Sequence, residues 1–387
     1  MTRQTWTLCD VDRDIFLDTF ALSGKHVPEM PGGWSVTKHR LRGGLRDGVD
    51  VIDVVAGPLA FTVVPMRGMG IWRAQCGPVQ LGWKSPVAGP VHPSFVRLWE
   101  PSGIGWLDGF DELLVRCGLE SNGAPEFADG KLRWPLHGKI ANQPARKVEI
   151  GIDPHAGEIA ITGVVDEARM FGNKLRMTTT IVTRLGDPAI EITDRVENCW
   201  TEPSELELLY HVNFGVPLLE PGGKVVLPIV QGAPRDPVAV GNASEWDTYG
   251  PESPGTPEAV FFFELAAERS GRTRALLQNK AADRGVSLMF NKWQLPYFAL
   301  WKNRQAASDG YVTGLEPAIN FPNRKSFEKE KGRVAVLQSG ESRTFELRIE
   351  PHLDAAAVAR ARDDVASLQS GTTPRFHREP NPEWSAS

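Results

Sequence analysis

The sequence predicts a mainly β protein, a large antiparallel β-sandwich with a few short helices. Two observations predict this class. From about residue 145 onward, short runs rich in β-branched and aromatic residues follow one another about every ten residues, and no helical pattern separates successive runs. In addition, 38 glycines and 30 prolines divide the chain into many short segments, as is typical of sheets joined by turns.

The remaining segments are less uniform. Residues 12–20 and 108–119 are predicted as short helices, and strand-like runs begin at about residue 49. Residues 77–107 are rich in Gly, Pro and Trp. A loop of this length in a compact chain is usually functional or disordered, and disordered segments are poor in aromatic residues, so we expect an ordered, functional loop. Residues 354–369 predict a C-terminal helix.

The chain of 387 residues is long enough for one large domain. We find no internal repeat and no low-complexity tract, and therefore expect a single sandwich domain over residues 1–387. Within it, residues 1–48 are expected to form an N-terminal extension, and residues 372–387 a C-terminal arm.

Composition and charge limit the classes of partner that the protein is expected to bind. The net charge is −5 and the pI is near 6.0, so the basic face needed to bind nucleic acid or an anionic membrane is not predicted. No secretory signal or apolar run of about 20 residues is visible. The four cysteines are widely spaced, which predicts reduced thiols, a cytoplasmic location and no zinc site. The oligomeric state stays open.

The segment LLYHVNFGVPLL, residues 208–219, contains the first candidate site. In a strand, residues two apart share a face, so His211 and Asn213 point the same way. Tyr210 and Phe214 point to the opposite side. A histidine beside an asparagine predicts a polar pocket floor, although a histidine bonded to a backbone carbonyl explains the pattern equally well.

Two further segments carry candidate polar groups. In WPLHGKIANQPA, Gly138 permits a tight turn that would present His137 towards a cleft, with Asn142 close behind. In YVTGLEPAINFPNR, Glu316 is predicted at the end of a strand, immediately before Pro317, where its carboxylate is a plausible base. An exposed loop position is the alternative for both His137 and Glu316.

Four other residues complete the set of candidates. Arg67, in VVPMRGMGIW, offers fixed donors that suit a polyol. The Gly-x-Gly beside it is too short for a dinucleotide fingerprint, so no cofactor is predicted. His92 and Asn122 are polar candidates in the Gly- and Pro-rich region. Trp301 is one of 12 tryptophans, whose rings can pack on the C–H face of a sugar.

These segments together resemble the aldose 1-epimerase (galactose mutarotase-like) superfamily. That family has two histidine segments, which HGKIAN and YHVNFG resemble, and a later glutamate segment, which LEP…FPN resembles. The three segments follow one another in the same order as in the family. The blocks RGMGI, LGWKSP, GFDELLVRCGLESNGAP and LPYFALWKN are similar to a bacterial subgroup of aldose-1-epimerase-like proteins of unassigned function. The resemblance extends from about residue 63 to 345 and implies an antiparallel sandwich that binds a sugar on one sheet.

The resemblance also implies a reaction, mutarotation of a free monosaccharide or derivative without a cofactor. Glu316 would be the base, ionised at neutral pH because the reference pKa of a carboxyl group is about 4. His211 would be the acid, and His137 would bond the ring or anomeric oxygen. Sugar hydroxyls would then be held by the binding candidates Arg67, His92, Asn122, Asn142, Asn213 and Trp301.

Two alternatives stay open. One is a lyase or isomerase acting on an oxidised (keto) sugar, with a metal held by His92, His137, His211 and Glu316 if they converge. The other is a sugar-binding protein without catalysis, because sandwich folds host many functions.

Overall fold

The computed structural model describes residues 3–386 and confirms the mainly β class. Met1 and Thr2 of the expected N-terminal extension, and Ser387 of the expected C-terminal arm, lie outside the described residues. The described strands, in chain order, are β1 Gln4–Asp10, β2 Ile15–Phe16, β3 Phe20–Ser23, β4 Trp34–Arg40, β5 Asp50–Ala56, β6 Leu59–Val64, β7 Gly70–Cys76, β8 Val79–Leu81, β9 Leu114–Leu119, β10 Glu126–Ala128, β11 Lys131–Trp134, β12 Lys147–Asp153, β13 Glu158–Ala168, β14 Lys174–Arg184, β15 Asp187–Asn198, β16 Ser204–Phe214, β17 Lys224–Val226, β18 Ile229–Pro234, β19 Ala259–Leu265, β20 Arg272–Gln278, β21 Gly285–Asn291, β22 Tyr297–Asn303, β23 Val312–Ala318, β24 Ala335–Leu337, β25 Ser342–His352 and β26 Arg375–Phe376.

Helices are short except for the last. The described α-helices are α1 Pro237–Gly241, α2 Lys325–Glu330 and α3 Ala355–Gln369. Single 3₁₀ turns cover Val11–Arg13, Gly44–Arg46, Pro93–Phe95, Gly105–Gly109, Ile140–Asn142, Ala243–Glu245 and Ala307–Asp309. Within the described range, none of these helices has the length and apolar character needed to cross a membrane.

Two large sheets form the sandwich. The first has ten strands in the order β17-β20-β21-β25-β15-β14-β13-β12-β1-β2. The second has 14, in the order β26-β18-β19-β22-β23-β16-β9-β7-β6-β5-β4-β3, with β24 beside β16 and β8 beside β7. Pairing is antiparallel throughout, apart from β18 with β26, and β10 and β11 form a separate hairpin.

The main core lies between the two sheets. In β14, every second residue from Leu175 to Thr183 is buried and the residues between them are more exposed, because one face meets the core and the other meets water. By contrast, β9 and β16 are buried on both faces. Their outer face lies under a second apolar cluster that includes Trp106 and Phe110.

Strands near both ends of the chain are part of the two large sheets. In the expected N-terminal extension, β1 pairs with β12 in the ten-stranded sheet, and β4 pairs with β5 in the 14-stranded sheet. In the expected C-terminal arm, β26 pairs with β18, and the ring of Trp384 lies 5.2 Å from that of Phe321.

The structure corrects two of the three predicted helices. In residues 12–20, the 3₁₀ turn Val11–Arg13 ends at Asp14, which adopts a left-handed conformation with φ 55°, and the strand β2 follows. Residues 108–119 contain the strand β9, whose six residues are all buried. A short run buried on both faces has no alternation, so its period cannot distinguish a strand from a helix. The third prediction, 354–369, is confirmed by α3, with Asp354 as its N-cap.

A buried ion pair joins the sheets below β9 and β16. Arg116 on β9 donates to both carboxylate oxygens of Asp194 on β15, from Nε at 2.5 Å and from Nη2 at 3.0 Å. The Tyr210 hydroxyl on β16 donates to Asp194 at 2.8 Å, and the Thr179 hydroxyl donates at 2.7 Å. Both members of the pair are fully buried, and these additional bonds satisfy the carboxylate.

Replacing Asp194 tests this connection. We expect Asp194→Asn to lower the free energy of unfolding by about 3–5 kcal/mol, because the guanidinium of Arg116 would be left buried without its counter-charge. Urea denaturation followed by circular dichroism measures the change. The control is Glu197→Gln on the same strand, which breaks a half-exposed pair with Arg195 and should cost less than about 1 kcal/mol. Equal losses in the two variants would contradict this account.

Candidate functional site

His211 and Glu316 face each other on neighbouring strands of the 14-stranded sheet. β16 and β23 pair with Val212 opposite Leu315, and in this antiparallel register His211 lies opposite Glu316. His211 Nε2 is 3.2 Å from Oε1 of Glu316. The two residues are only 4% and 2% exposed, so they form an acid–base pair with little contact with solvent.

Gly314 makes room for this pair. It lies two residues before Glu316 and shares its face of β23. A Cβ atom at position 314 would lie 2.3 Å from Glu316 Oε1 and 2.9 Å from His211 Cε1. No side chain fits there without displacing one member of the pair.

Asn213 fixes the tautomer of His211. The Asn213 amide nitrogen donates to the backbone carbonyl of Glu112 at 2.9 Å, so its Oδ1 is left as an acceptor. This oxygen lies 2.6 Å from Nδ1 of His211, which must therefore carry the ring proton. In neutral His211, Nε2 is consequently the unprotonated nitrogen. It lies beside Oε1 of Glu316, a buried oxygen that has no hydrogen-bond partner among residues 3–386.

Burial disfavours the charged form of both members of the pair. It raises the pKa of Glu316 well above its ordinary value, and the negative charge of Glu258 raises it further. Burial also lowers the pKa of His211 to about 3, with a further contribution from His137 and partial compensation by the bond to Asn213. Both shifts favour the proton on Glu316 over His211, in the direction opposite to the ionised carboxylate expected from its reference pKa.

His137 is presented by a left-handed turn. His137 and Gly138 have φ values of 57° and 72°, and a Cβ at Gly138 would lie 2.0 Å from the carbonyl oxygen of Ser121. The Nδ1 atom of His137 donates to the carbonyl of Asn122 at 2.8 Å, so its Nε2 is free to accept. The two imidazole rings lie 5.6 Å apart, and burial lowers the pKa of His137.

Aromatic rings cover the histidines. The ring of Trp106 lies 4.6 Å from His137 and 6.2 Å from His211. Phe110 and Trp301 lie 5.1 and 5.4 Å from His211. Together with the surrounding strands, these rings leave the pair almost completely enclosed.

Trp301 is held at the edge of this cover. Its indole nitrogen donates to Oε2 of Glu258 at 2.6 Å, and Arg235 lies 3.4 Å from the same carboxylate. Trp301 is half-buried and Glu258 is exposed. These three residues thus place one aromatic face and two opposite charges beside the pair.

Arg67 does not face a cleft, which corrects its expected role as a donor to a sugar. Its side chain is fully buried. It donates to Glu112 at 2.7 Å, to the carbonyl of Gly109 at 2.8 Å and to Oδ1 of Asn142. Arg67 thereby anchors the turn that carries Trp106. The amide nitrogen of Asn142 is buried and has no partner among residues 3–386.

Asn122 and His92 also lie apart from the pair. The Asn122 side chain is buried and donates to Asn320 at 2.9 Å, so only its backbone carbonyl serves the site, through His137. His92 lies 2.7 Å from the Ser94 hydroxyl, and no described contact joins it to His137, His211 or Glu316. In the described part of the chain, no group of three or more His, Cys, Asp or Glu side chains has an arrangement suited to a metal.

Sequence reasoning missed several residues of the site. Trp106 belongs to the Trp-rich loop that was expected to be functional, so its composition was the available signal. Phe110 was hidden in the predicted helix 108–119. Gly314 and Glu258 gave no signal, because their importance depends on the register of β23 with its neighbours and on contacts between distant segments.

Comparison with known proteins confirms the resemblance. The fold, with these side chains on one of its two sheets, is that of a galactose mutarotase-like protein. The chain belongs to the family described as Domain of unknown function (DUF4432), which matches residues 46–350. No curated protein matches the sequence.

Solved structures extend this result. A Klebsiella pneumoniae protein, provisionally named an aldose 1-epimerase, is 32% identical over 98% of this chain and 99% of its own, with a TM-score of 0.95. A galactose mutarotase-like protein from Clostridium acetobutylicum is 15% identical over 79% of this chain and 96% of its own, with a TM-score of 0.55. The second similarity concerns the fold alone. The similarity to the Klebsiella pneumoniae protein indicates a carbohydrate-related function.

The pKa of Glu316 predicts a pH dependence of stability. Folded Glu316 keeps its proton above pH 4.5, the ordinary pKa at which the unfolded chain loses it, so the free energy of unfolding falls as pH rises through this range. We expect the free energy of unfolding of the wild type to fall, relative to that of Glu316→Gln, by up to about 1.4 kcal/mol for each pH unit. Urea denaturation at pH 5, 6 and 7 measures it. In Glu330→Gln, an exposed control, the free energy of unfolding should change with pH as it does in the wild type. If the free energy of unfolding of Glu316→Gln also changed with pH as in the wild type, the proposed pKa shift of Glu316 would be refuted.

Proposed function

We propose that this protein is an acid–base catalyst that interconverts the anomers of a free monosaccharide or derivative, an activity of the aldose 1-epimerase type. The observation that carries the proposal is the buried contact between His211 and Glu316. One proton-donating and one proton-accepting group side by side are what ring opening of a sugar requires. The name given to the Klebsiella pneumoniae protein supports the same reaction class.

The pair holds one proton, whichever member carries it. With the proton on His211, Glu316 takes the proton of the anomeric hydroxyl while His211 donates to the ring oxygen. The bond between C1 and the ring oxygen breaks and the aldehyde forms. This leaves the proton on Glu316 and His211 neutral, the arrangement that burial favours. After rotation about C1–C2, ring closure on the other face of the aldehyde reverses both transfers.

His137 and the aromatic cover would assist this reaction. Because Nδ1 of His137 is bonded to a backbone carbonyl, its Nε2 can accept a hydrogen bond from a sugar hydroxyl. The indole nitrogen of Trp106 is buried without a hydrogen-bond partner among the described residues and would be a donor to another oxygen. Exclusion of water by the rings strengthens both interactions.

The first test removes the titratable carboxyl group. Wild-type protein should accelerate anomer interconversion of at least one sugar in a panel, measured by NMR or polarimetry. Glu316→Gln should lower that rate by about 10²–10⁴-fold, the usual contribution of a positioned acid–base group. Glu330→Gln, the exposed control, should match wild type. Identical rates for wild type and Glu316→Gln on every sugar would exclude the proposal, and binding without turnover would indicate a sugar-binding protein.

A second test moves the carboxyl group without removing it. In Gly314→Ala, the new methyl group would lie 2.3 Å from Glu316 Oε1, so the carboxyl must shift. We expect a loss of about 1–3 kcal/mol in stability from overpacking and a fall of roughly 10²-fold in the mutarotation rate from misplacement. Thermal denaturation and NMR measure the two effects. A folded Gly314→Ala variant with the wild-type rate would show that this pair geometry is not required.

A further inference from the structure

A separate groove of about 660 Å³ opens on the outer face of the 14-stranded sheet. It lies over β5 to β8 and is closed on one side by residues 82–89. Trp72, Arg73, Trp83 and Lys84 contribute to its lining. Its volume is in the range of small-molecule binding sites.

An irregularity in the sheet gives the groove its side chains. The pairing of β6 with β7 shifts, so that Thr62 faces Arg73 and Val63 faces Ile71. Ile71 and Ala74 both point into the core, and the two residues between them, Trp72 and Arg73, therefore lie on the outer side. Such bulges redirect side chains and are frequent beside functional sites.

Two tryptophan rings are held rigidly in the lining. The indole nitrogen of Trp72 donates to Oδ2 of Asp111 at 2.7 Å, and that of Trp83 donates to the carbonyl of Glu112 at 3.1 Å. The N–H groups are thus satisfied by the protein. The Arg73 guanidinium lies over the ring of Trp72, 4.3 Å from its centre, so the ring of Trp83 provides the apolar surface that lines the groove. Such surfaces pack well against the C–H face of a sugar.

The groove contains two positively charged side chains, Arg73 and Lys84, and two carboxyl groups, Asp53 and Asp111. The Lys84 ammonium group and the terminal nitrogens of Arg73 have no hydrogen bond or ion pair with any residue from 3 to 386. Asp53 is already bonded to Thr62 at 2.6 Å and lies 3.4 Å from His39. Asp111 is largely buried, and burial together with Glu112 raises its pKa to about 7, which weakens its negative charge at neutral pH.

We infer that this groove binds an anionic sugar derivative, with the sugar ring against Trp83 and its carboxylate or phosphate group bound by Lys84 and by Arg73, which is placed over the ring of Trp72. Guanidinium and ammonium groups form strong, charge-assisted bonds with both kinds of anion. The inference goes beyond the proposed reaction, because binding in the groove requires no turnover.

Isothermal titration calorimetry with three probes tests it. The probes are D-glucuronate, D-glucose 6-phosphate and D-glucose, which distinguish a carboxylate, a phosphate and a neutral ligand. We expect at least one anionic probe to bind about tenfold more tightly than D-glucose, and its Kd to rise with added salt. Absence of binding by both anionic probes, or equal affinity for D-glucose, would overturn the inference.

Variants then locate the ligand. Arg73→Met and Lys84→Met should each weaken binding by about tenfold, and because both side chains are exposed, the variants should fold, as circular dichroism will show. Arg343→Met, an exposed arginine on the ten-stranded sheet, is the matched control and should bind as wild type. Glu316→Gln should also retain binding, whatever its effect on mutarotation. Loss of binding in Glu316→Gln with no effect of Arg73→Met would place the ligand at the buried pair and refute the groove.

Discussion

The arrangement of the site depends on the buried ion pair between Arg116 and Asp194. It joins β9 to the opposite sheet, and the Tyr210 hydroxyl joins β16 to the same carboxylate. Alternate residues of a strand point to opposite faces, so fixing Tyr210 inward fixes His211 outward. The position of the imidazole is therefore set by a polar network that is buried between the two sheets.

Desolvation is the second constraint, and it acts on the chemistry. Trp106, Phe110 and Trp301 exclude water from His211 and Glu316, which disfavours the charged form of each. A neutral carboxylic acid beside a neutral imidazole differs from a carboxylate beside an imidazolium only in the location of one proton. Burial therefore keeps the pair close to neutral overall, and a sugar placed between the two groups would provide the route for that proton.

The sequence predicted those parts of the site that depend on local pattern. The period of two along β16 correctly placed His211 and Asn213 on one face and Tyr210 on the other, and Gly138 correctly marked a tight turn at His137. Prediction from the sequence failed where burial and long-range contacts determine the role of a side chain. Arg67 has the right donors for a polyol, but the Glu112 carboxylate and two other acceptors use them, and no local pattern shows which acceptors a buried arginine will meet.

Glu112 connects the buried pair with the neighbouring groove. Its backbone carbonyl accepts hydrogen bonds from Trp83, which lines the groove, and from Asn213, which orients His211. Phe110 packs against both Trp83, at 4.9 Å, and His211. The two regions therefore share the contacts of Phe110 and one hydrogen-bond acceptor. A ligand that shifted Trp83 would act on the same carbonyl that holds Asn213 and, through it, the tautomer of His211.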